Sequence, residues 1–188
     1  MDEVKSFVLS CRHNTQIDNP TSVLIGKPLW RCTRAAEMAC FQFGARHLRR
    51  DFFGKDCEVG DYALHVQCSW RIIRSDEILV GKEDLYQPQD QATSDPVFDW
   101  KKANLQDARV RKLFADNQRQ FTVVGTALRA GGELDILFDD ELRLEVFPNS
   151  SLQTHDMEHW RLFAPSVDPA LRGEAPQLVF LGAGLRQE

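Results

Sequence analysis

The segment "LEVFPNSSLQTHDMEHWRLF" (144–163) sets His155, Glu158 and His159 in the spacing H-x-x-E-H. On a helix that spacing brings two imidazoles together around a zinc ion and leaves the carboxylate to activate water. The flanking residues argue against a helix of that length. Pro148-Asn149-Ser150-Ser151 lies just upstream, and the strand-like "WRLF" starts directly after His159. About two turns fit at most, and so short a helix is marginal without packing. A catalytic zinc also needs a third protein ligand, and His65 has no paired spacing to supply one. The expectation is therefore a hydrated turn, with no metal and no cofactor. A metal-dependent hydrolase using His65, His155 and His159 is the competing reading.

Other reactive arrangements are weaker. His65 and Cys68 are three apart on a strand and so project to opposite faces, which rules out a local ion pair between them. Ser150 and Ser151 lack the G-x-S-x-G elbow, and "GAG" (182–184) has no helix after it to receive a phosphate. Asp139 and Asp140 fall at a hairpin turn, where hydration leaves their acid–base power ordinary. No catalytic residue is expected. The five cysteines (11, 32, 40, 57 and 68) are odd in number, lack C-x-x-C spacing, and read as small buried hydrophobes. More informative are Trp70-Arg71 and Trp160-Arg161. Each Trp can pack inward while its Arg points out, holding acidic groups of the fold or of a ligand. With His65, Gln67 and His159, Arg71 and Arg161 form a candidate ligand face.

These residues must be positioned mainly by strands. In "YALHVQC" (62–68), Leu64, Val66 and Cys68 alternate with His65 and Gln67. In "ELRLEVF" (141–147), Leu142, Leu144 and Val146 alternate with Arg143 and Glu145. "ELDILF" (133–138) and "QLVFL" (177–181) are further strands, and "RHLRRDFFGKDCEVGD" (46–61) reads as a long hairpin connection. Val4, Phe7, Val8 and Cys11 mark an amphipathic helix over 3–13. A second helix over 104–117 starts from Asn104 as N-cap, with Asp107 in its first turn. The order L-x-V, Ser, W-R, then a strand ending in Gly occurs in both halves. Two copies of one β-unit (about 25–81 and 121–184, joined by 82–120) or chance similarity would each produce this echo. The fold class expected is α+β: antiparallel sheet from two related β-units in one domain of 1–188, covered by the two helices.

Composition narrows the function classes. A chain of 188 residues buries about 70% of its extended surface and needs no metal or disulfide to hold a core. No apolar run approaches the roughly 20 residues of a membrane span, and the acidic start "MDEV" is unlike a secretory signal. The expected location is cytoplasmic, away from membranes. The net charge of −5 argues against nucleic acid, which is gripped by Lys and Arg. Residues 27–55 carry seven Lys or Arg against Glu37 and Asp51, whereas 131–160 carry eight Asp or Glu against Arg143. An acidic second half suits a basic protein partner, with Asp135, Asp139, Asp140, Glu141 and Glu158 as the contact residues.

"WRCTRAAEMACFQFG" (30–44), "ALHVQCSWRI" (63–72), "ILVGKEDLY" (78–86), "LEVFPNSS" (144–151), "EHWRLF" (158–163) and "LVFLGAG" (178–184) together resemble a family of small bacterial proteins without established activity. Proteins with a similar "LEVFP…WRLF" ending are associated with immunity-type partners of bacterial toxins. The resemblance implies a binding module that covers a basic toxin domain, and it carries over no catalytic residue. The other classes are a small-ligand binder on the His65 face and a subunit whose sheet edge pairs with a second copy of itself.

Overall fold

The computed structural model describes residues 19–51, 54–90, 98–115, 118–152, 157–166 and 177–187. The helix expected over 3–13 lies outside these residues. What they form is mostly β, so the α+β expectation holds only in its coarser part: antiparallel sheet with few helices. The strands are β1 (Pro28–Ala35), β2 (Met38–Phe43), β3 (His47–Arg50), β4 (Asp56–Val59), β5 (Tyr62–Val66), β6 (Ser69–Arg74) and β7 (Glu77–Gly81). After them come α1 (Leu105–Leu113), β8 (Phe121–Leu128), β9 (Leu134–Phe138), β10 (Leu142–Phe147), β11 (Glu158–Phe163), β12 (Gln177–Leu181) and β13 (Gly184–Gln187). Eleven strands make one sheet in the order β13-β12-β11-β5-β2-β1-β8-β9-β10-β6-β7, and β3 and β4 form a separate hairpin. No helix among the described residues is long and apolar enough to cross a membrane.

The sheet has two wings that meet where β1 pairs β8 through Leu29↔Phe121. Outward from that seam, one wing runs β1, β2, β5, β11, β12 and the other β8, β9, β10, β6, β7. The registers match as well as the order. Val66 pairs Trp160 and Leu64 pairs Leu162 in the first wing; Val146 pairs Trp70 and Leu144 pairs Ile72 in the second. Ala39↔Val66 and Phe41↔Leu64 have their counterparts in Leu134↔Val146 and Ile136↔Leu144. Both strands at the seam carry a bulge, at Leu29/Arg31 and at Val123/Gly125. With β13 on the outer edge of the first wing, that wing takes three strands from each half of the chain and the second takes three from one half and two from the other, an interleaving that ties the halves together.

Alternation explains the core. β10 buries Leu142, Leu144 and Val146 and turns Arg143 and Glu145 outward, and Leu64, Val66 and Cys68 are all buried. The wings curl so that these faces meet, with Phe41 of the first edge-on to Trp70 of the second at 5.3 Å; within the first wing Trp160 stacks on its cross-strand neighbour Phe180 at 5.8 Å. Trp160 also donates from Nε1 to the Gly132 carbonyl at 2.8 Å across the core. Gly132 has φ +84°, and a Cβ there would meet the Phe180 ring at 2.2 Å. Only glycine supplies that backbone at that separation.

The helix α1 is shorter than expected and begins where expected: Asn104 Oδ1 accepts from the Asp107 N–H at 2.8 Å. Its buried anchor is polar. Gln106 donates to the carbonyls of Gly81 and Lys82, and Arg109 donates to the Leu79 carbonyl. Those carbonyls lie on or beside the terminal strand β7, so α1 covers an edge that would otherwise recruit another strand. Asp107 holds α1 to β1 by accepting twice from Arg34 at 3.0 Å.

Candidate functional site

The β3–β4 hairpin is placed by one carboxylate. Asp61 accepts from Lys27 Nζ at 3.2 Å and from the Ala45 N–H at 3.0 Å, and it bonds His47 Nε2 at 2.8 Å. The His47 bond, then the Ala45 N–H and Lys27, outweigh burial and hold the Asp61 carboxyl down at about 2. Arg46 lies over the Trp30 ring at 4.6 Å, so this short element rests on the outer face of the first wing.

Beside the hairpin is a cleft of about 410 Å³ whose lining includes Arg49, His65, Gln67, Glu158, Arg161 and Phe163. Its floor comes from β5 and β11, where Arg161 pairs directly with His65 and their side chains share a face. The His65 ring meets Phe163 edge-on at 4.8 Å. Burial first, then the charges of Arg161 and Arg49 against that of Glu158, lower the His65 pKa, so the ring is neutral at pH 7. Glu158 is bound by Arg161, at 2.7 Å from Nε and by a second contact from Nη2. Burial raises the Glu158 carboxyl, but the hydrogen bond and charge of Arg161, with Gln67 and His65, outweigh it and leave it below the ordinary range. Arg161 Nη1 also donates to Gln177 Oε1 at 3.0 Å. Arg49 brings a second cation, and its Nε is buried without an acceptor among the described residues.

The cleft thus combines two guanidinium groups, one carboxylate, a neutral imidazole, two amides and an aromatic edge. Arg49 and Arg161 can bind a carboxylate or another oxyanion. Gln67, Gln177 and Glu158 can meet hydroxyl or N–H groups, and Phe163 and Met38 offer apolar surface.

Of the ligand face read from the sequence, His65, Gln67 and Arg161 come together and two members do not. Arg71 lies in the other wing, where it donates to Glu145. His159 is buried, its ring 6.0 Å from Phe180, and burial lowers its pKa. A bulge between Glu158 and Trp160 breaks the alternation there, so Glu158 reaches Arg161 while His159 is buried. His155 lies outside the described residues. Among those residues, no three of His, Cys, Asp and Glu gather in a way that could hold a metal ion. Burial pushes the Cys40 and Cys68 thiols up to about 11 and about 12, and that of Cys32 higher still, which keeps all three as unreactive thiols.

The acidic residues read as a contact surface are spread over three places. Asp139, Asp140 and Glu141 form the β9–β10 turn, Asp135 is buried on β9 against Arg129 at 2.6 Å, and Glu158 sits in the cleft. Asp140 is itself held by Arg74 and Arg119 at 3.0 and 2.6 Å. Arg49, Gln177 and Phe163 did not emerge from the sequence as site residues. Arg49 could have been found by treating "HLRR" (47–50) as an alternating strand, which puts His47 and Arg49 on one side and Leu48 on the other. No family model, curated protein or solved structure matches this chain.

Proposed function

We propose that this chain is a binding protein whose working site is the cleft under the β3–β4 hairpin, and that it holds a small organic molecule through a carboxylate. The observation that carries the reading is Arg49: a cation half-buried at the cleft, its Nε desolvated and without an acceptor among the described residues. Leaving such a donor unmet costs about 1–3 kcal/mol, which a bound oxyanion would recover. The neutral His65 and the Gln67 and Gln177 amides suit orientation of a polar ligand better than neutralisation of a highly charged one.

Ligand-observed NMR with a panel of small carboxylic acids tests the reading. Wild-type protein is expected to bind members of the panel, Arg49→Ala to lose them, and Arg129→Ala, outside the cleft, to keep them. Retention of the same ligands by Arg49→Ala sinks the proposal.

A protein partner is the second reading, favoured by the β9–β10 turn. Asp140, whose side chain is 53% exposed, and Glu141 there adopt φ of 60° and 55°, and with Asp139 they place three carboxylates on one tight turn. A basic toxin domain, the target of an immunity-type protein, would be steered by that charge. Changing Asp139, Asp140 and Glu141 to Lys should then abolish capture of a basic partner domain, and undiminished capture counts against it. We further infer that 25–81 and 121–184 descend from one duplicated β-unit, supported by the paired registers and the bulges at corresponding positions of β1 and β8.

A further inference from the structure

On the far edge of the other wing, α1 and the β6–β7 hairpin enclose a groove of about 350 Å³. Four cations line it: Arg74 from β6, Arg109 and Lys112 one turn apart on α1, and Arg119 from the approach to β8. Ile78 and Leu113 supply an apolar floor. Arg74 and Arg119 converge on one point, since both donate to the same oxygen of Asp140, from 3.0 and 2.6 Å. Arg109 is held from behind by the Leu79 carbonyl at 3.3 Å and stands 3.7 Å from Asp84. The Nε of Arg74 is buried and has no acceptor among the described residues.

Glu77 is the acidic lining residue, and Asp84 and the Asp139-Asp140-Glu141 turn stand beside it, so carboxylates at the rim hold the cations in place and no positive excess is needed to gather them. What the groove offers is convergence: four cations from three elements around an apolar floor.

We propose that this groove binds a phosphoryl group carried by a compound with an apolar body. Donors approach from three elements, and a tetrahedral oxyanion presents several oxygens to them where a carboxylate presents two. The apolar part of the ligand covers Ile78, which is 49% exposed. The site is separate from the cleft in chain position and in wing, so it stands whether or not Arg49 holds a carboxylate.

The test is titration of the full chain with inorganic phosphate, pyrophosphate and phenyl phosphate at matched ionic strength, followed by backbone amide NMR. Saturable shifts at Leu79 and Leu113 are expected, with phenyl phosphate the tightest of the three. Phosphate tighter than phenyl phosphate would keep the oxyanion site and overturn the apolar body. Lys112 is exposed, so Lys112→Glu leaves the fold in place while reversing one charge, and should weaken binding about tenfold or more. Arg119→Gln should weaken it as well, and Arg49→Ala should leave it unchanged. No saturable shift in the wild type, or equal affinity in Lys112→Glu and wild type, overturns the proposal.

Discussion

Trp70 and Trp160 occupy corresponding places in the two wings, yet their indole nitrogens fare differently. Both rings are buried, at 2% and 0% exposure. Trp160 Nε1 donates to the Gly132 carbonyl at 2.8 Å, whereas Trp70 Nε1 has no acceptor among the described residues. Changing either residue to Phe removes a similar volume, so the cavity penalty is nearly common to both. What differs is the polar balance. Trp160→Phe strands a buried carbonyl, which costs about 1–3 kcal/mol. Trp70→Phe removes a donor that was already unsatisfied, recovering a comparable desolvation penalty. Trp160→Phe should therefore be less stable than Trp70→Phe by at least about 2 kcal/mol, or about 4–8 °C in Tm for a chain of this size. Urea denaturation reads the difference as a shift in midpoint at unchanged slope. Equal midpoints, or a lower one for Trp70→Phe, would refute the claim that the cross-core hydrogen bond distinguishes the two sites.

Gln106→Ala should uncover the β7 edge. Two carbonyls lose their donor, a cost of about 1–3 kcal/mol, and light scattering should show concentration-dependent association as the edge becomes available; a variant as stable and as monodisperse as wild type contradicts the capping role of α1. Asp61 makes stability depend on pH in a defined window. Its folded pKa of about 2 lies below the unfolded value of about 3.9, so the stabilisation is complete above about pH 4 and is lost as pH falls toward 2. Asp61→Asn removes that increment: its Tm should lie below wild type at pH 7 and approach it near pH 2, and a constant gap across that range would show that the carboxylate's charge is not what anchors the hairpin.

Much of the frame was legible from alternation alone. The bounds of "QLVFL" and the inward faces of "YALHVQC" and "ELRLEVF" follow from period two, because a half-buried strand can satisfy its backbone and its apolar residues in only one register. The echo between the halves was visible too, as L-x-V followed by W-R. That β6 and β7 cross to join strands of the other half was not visible, since local pattern reports which face a strand buries and not which neighbour it finds. His159 defeated alternation for a different reason: a bulge shifts the count by one, and nothing in "DMEHWRLF" marks it. Gln106 likewise reads as a solvent-facing helix residue until the carbonyls of an edge strand are placed above it. For the acidic second half, sequence gave the sum of charges but not that Arg74, Arg119 and Arg129, distant in the chain, already engage Asp140 and Asp135.

The two outer faces show how one position decides whether a surface closes. In the second wing, Glu145 lies opposite Arg71 and accepts from it, and it also takes Arg143 at 2.8 Å. One carboxylate there meets two guanidinium groups, and the Arg143 Nε is buried without an acceptor among the described residues. In the first wing the corresponding position is His65, opposite Arg161. A neutral ring can neutralise neither Arg161 nor Arg49. Arg161 turns instead to Glu158, placed within its reach by the bulge that buries His159, and Arg49 Nε is left without an acceptor among the described residues. Both faces therefore set two guanidinium groups against one carboxylate, but in the first wing the cations and Glu158 line a cleft with an aromatic edge, whereas in the second both arginines bond the one Glu145. That open cleft, and not a difference in charge, is the physical reason to look for a ligand on this wing's outer face rather than on that of its counterpart.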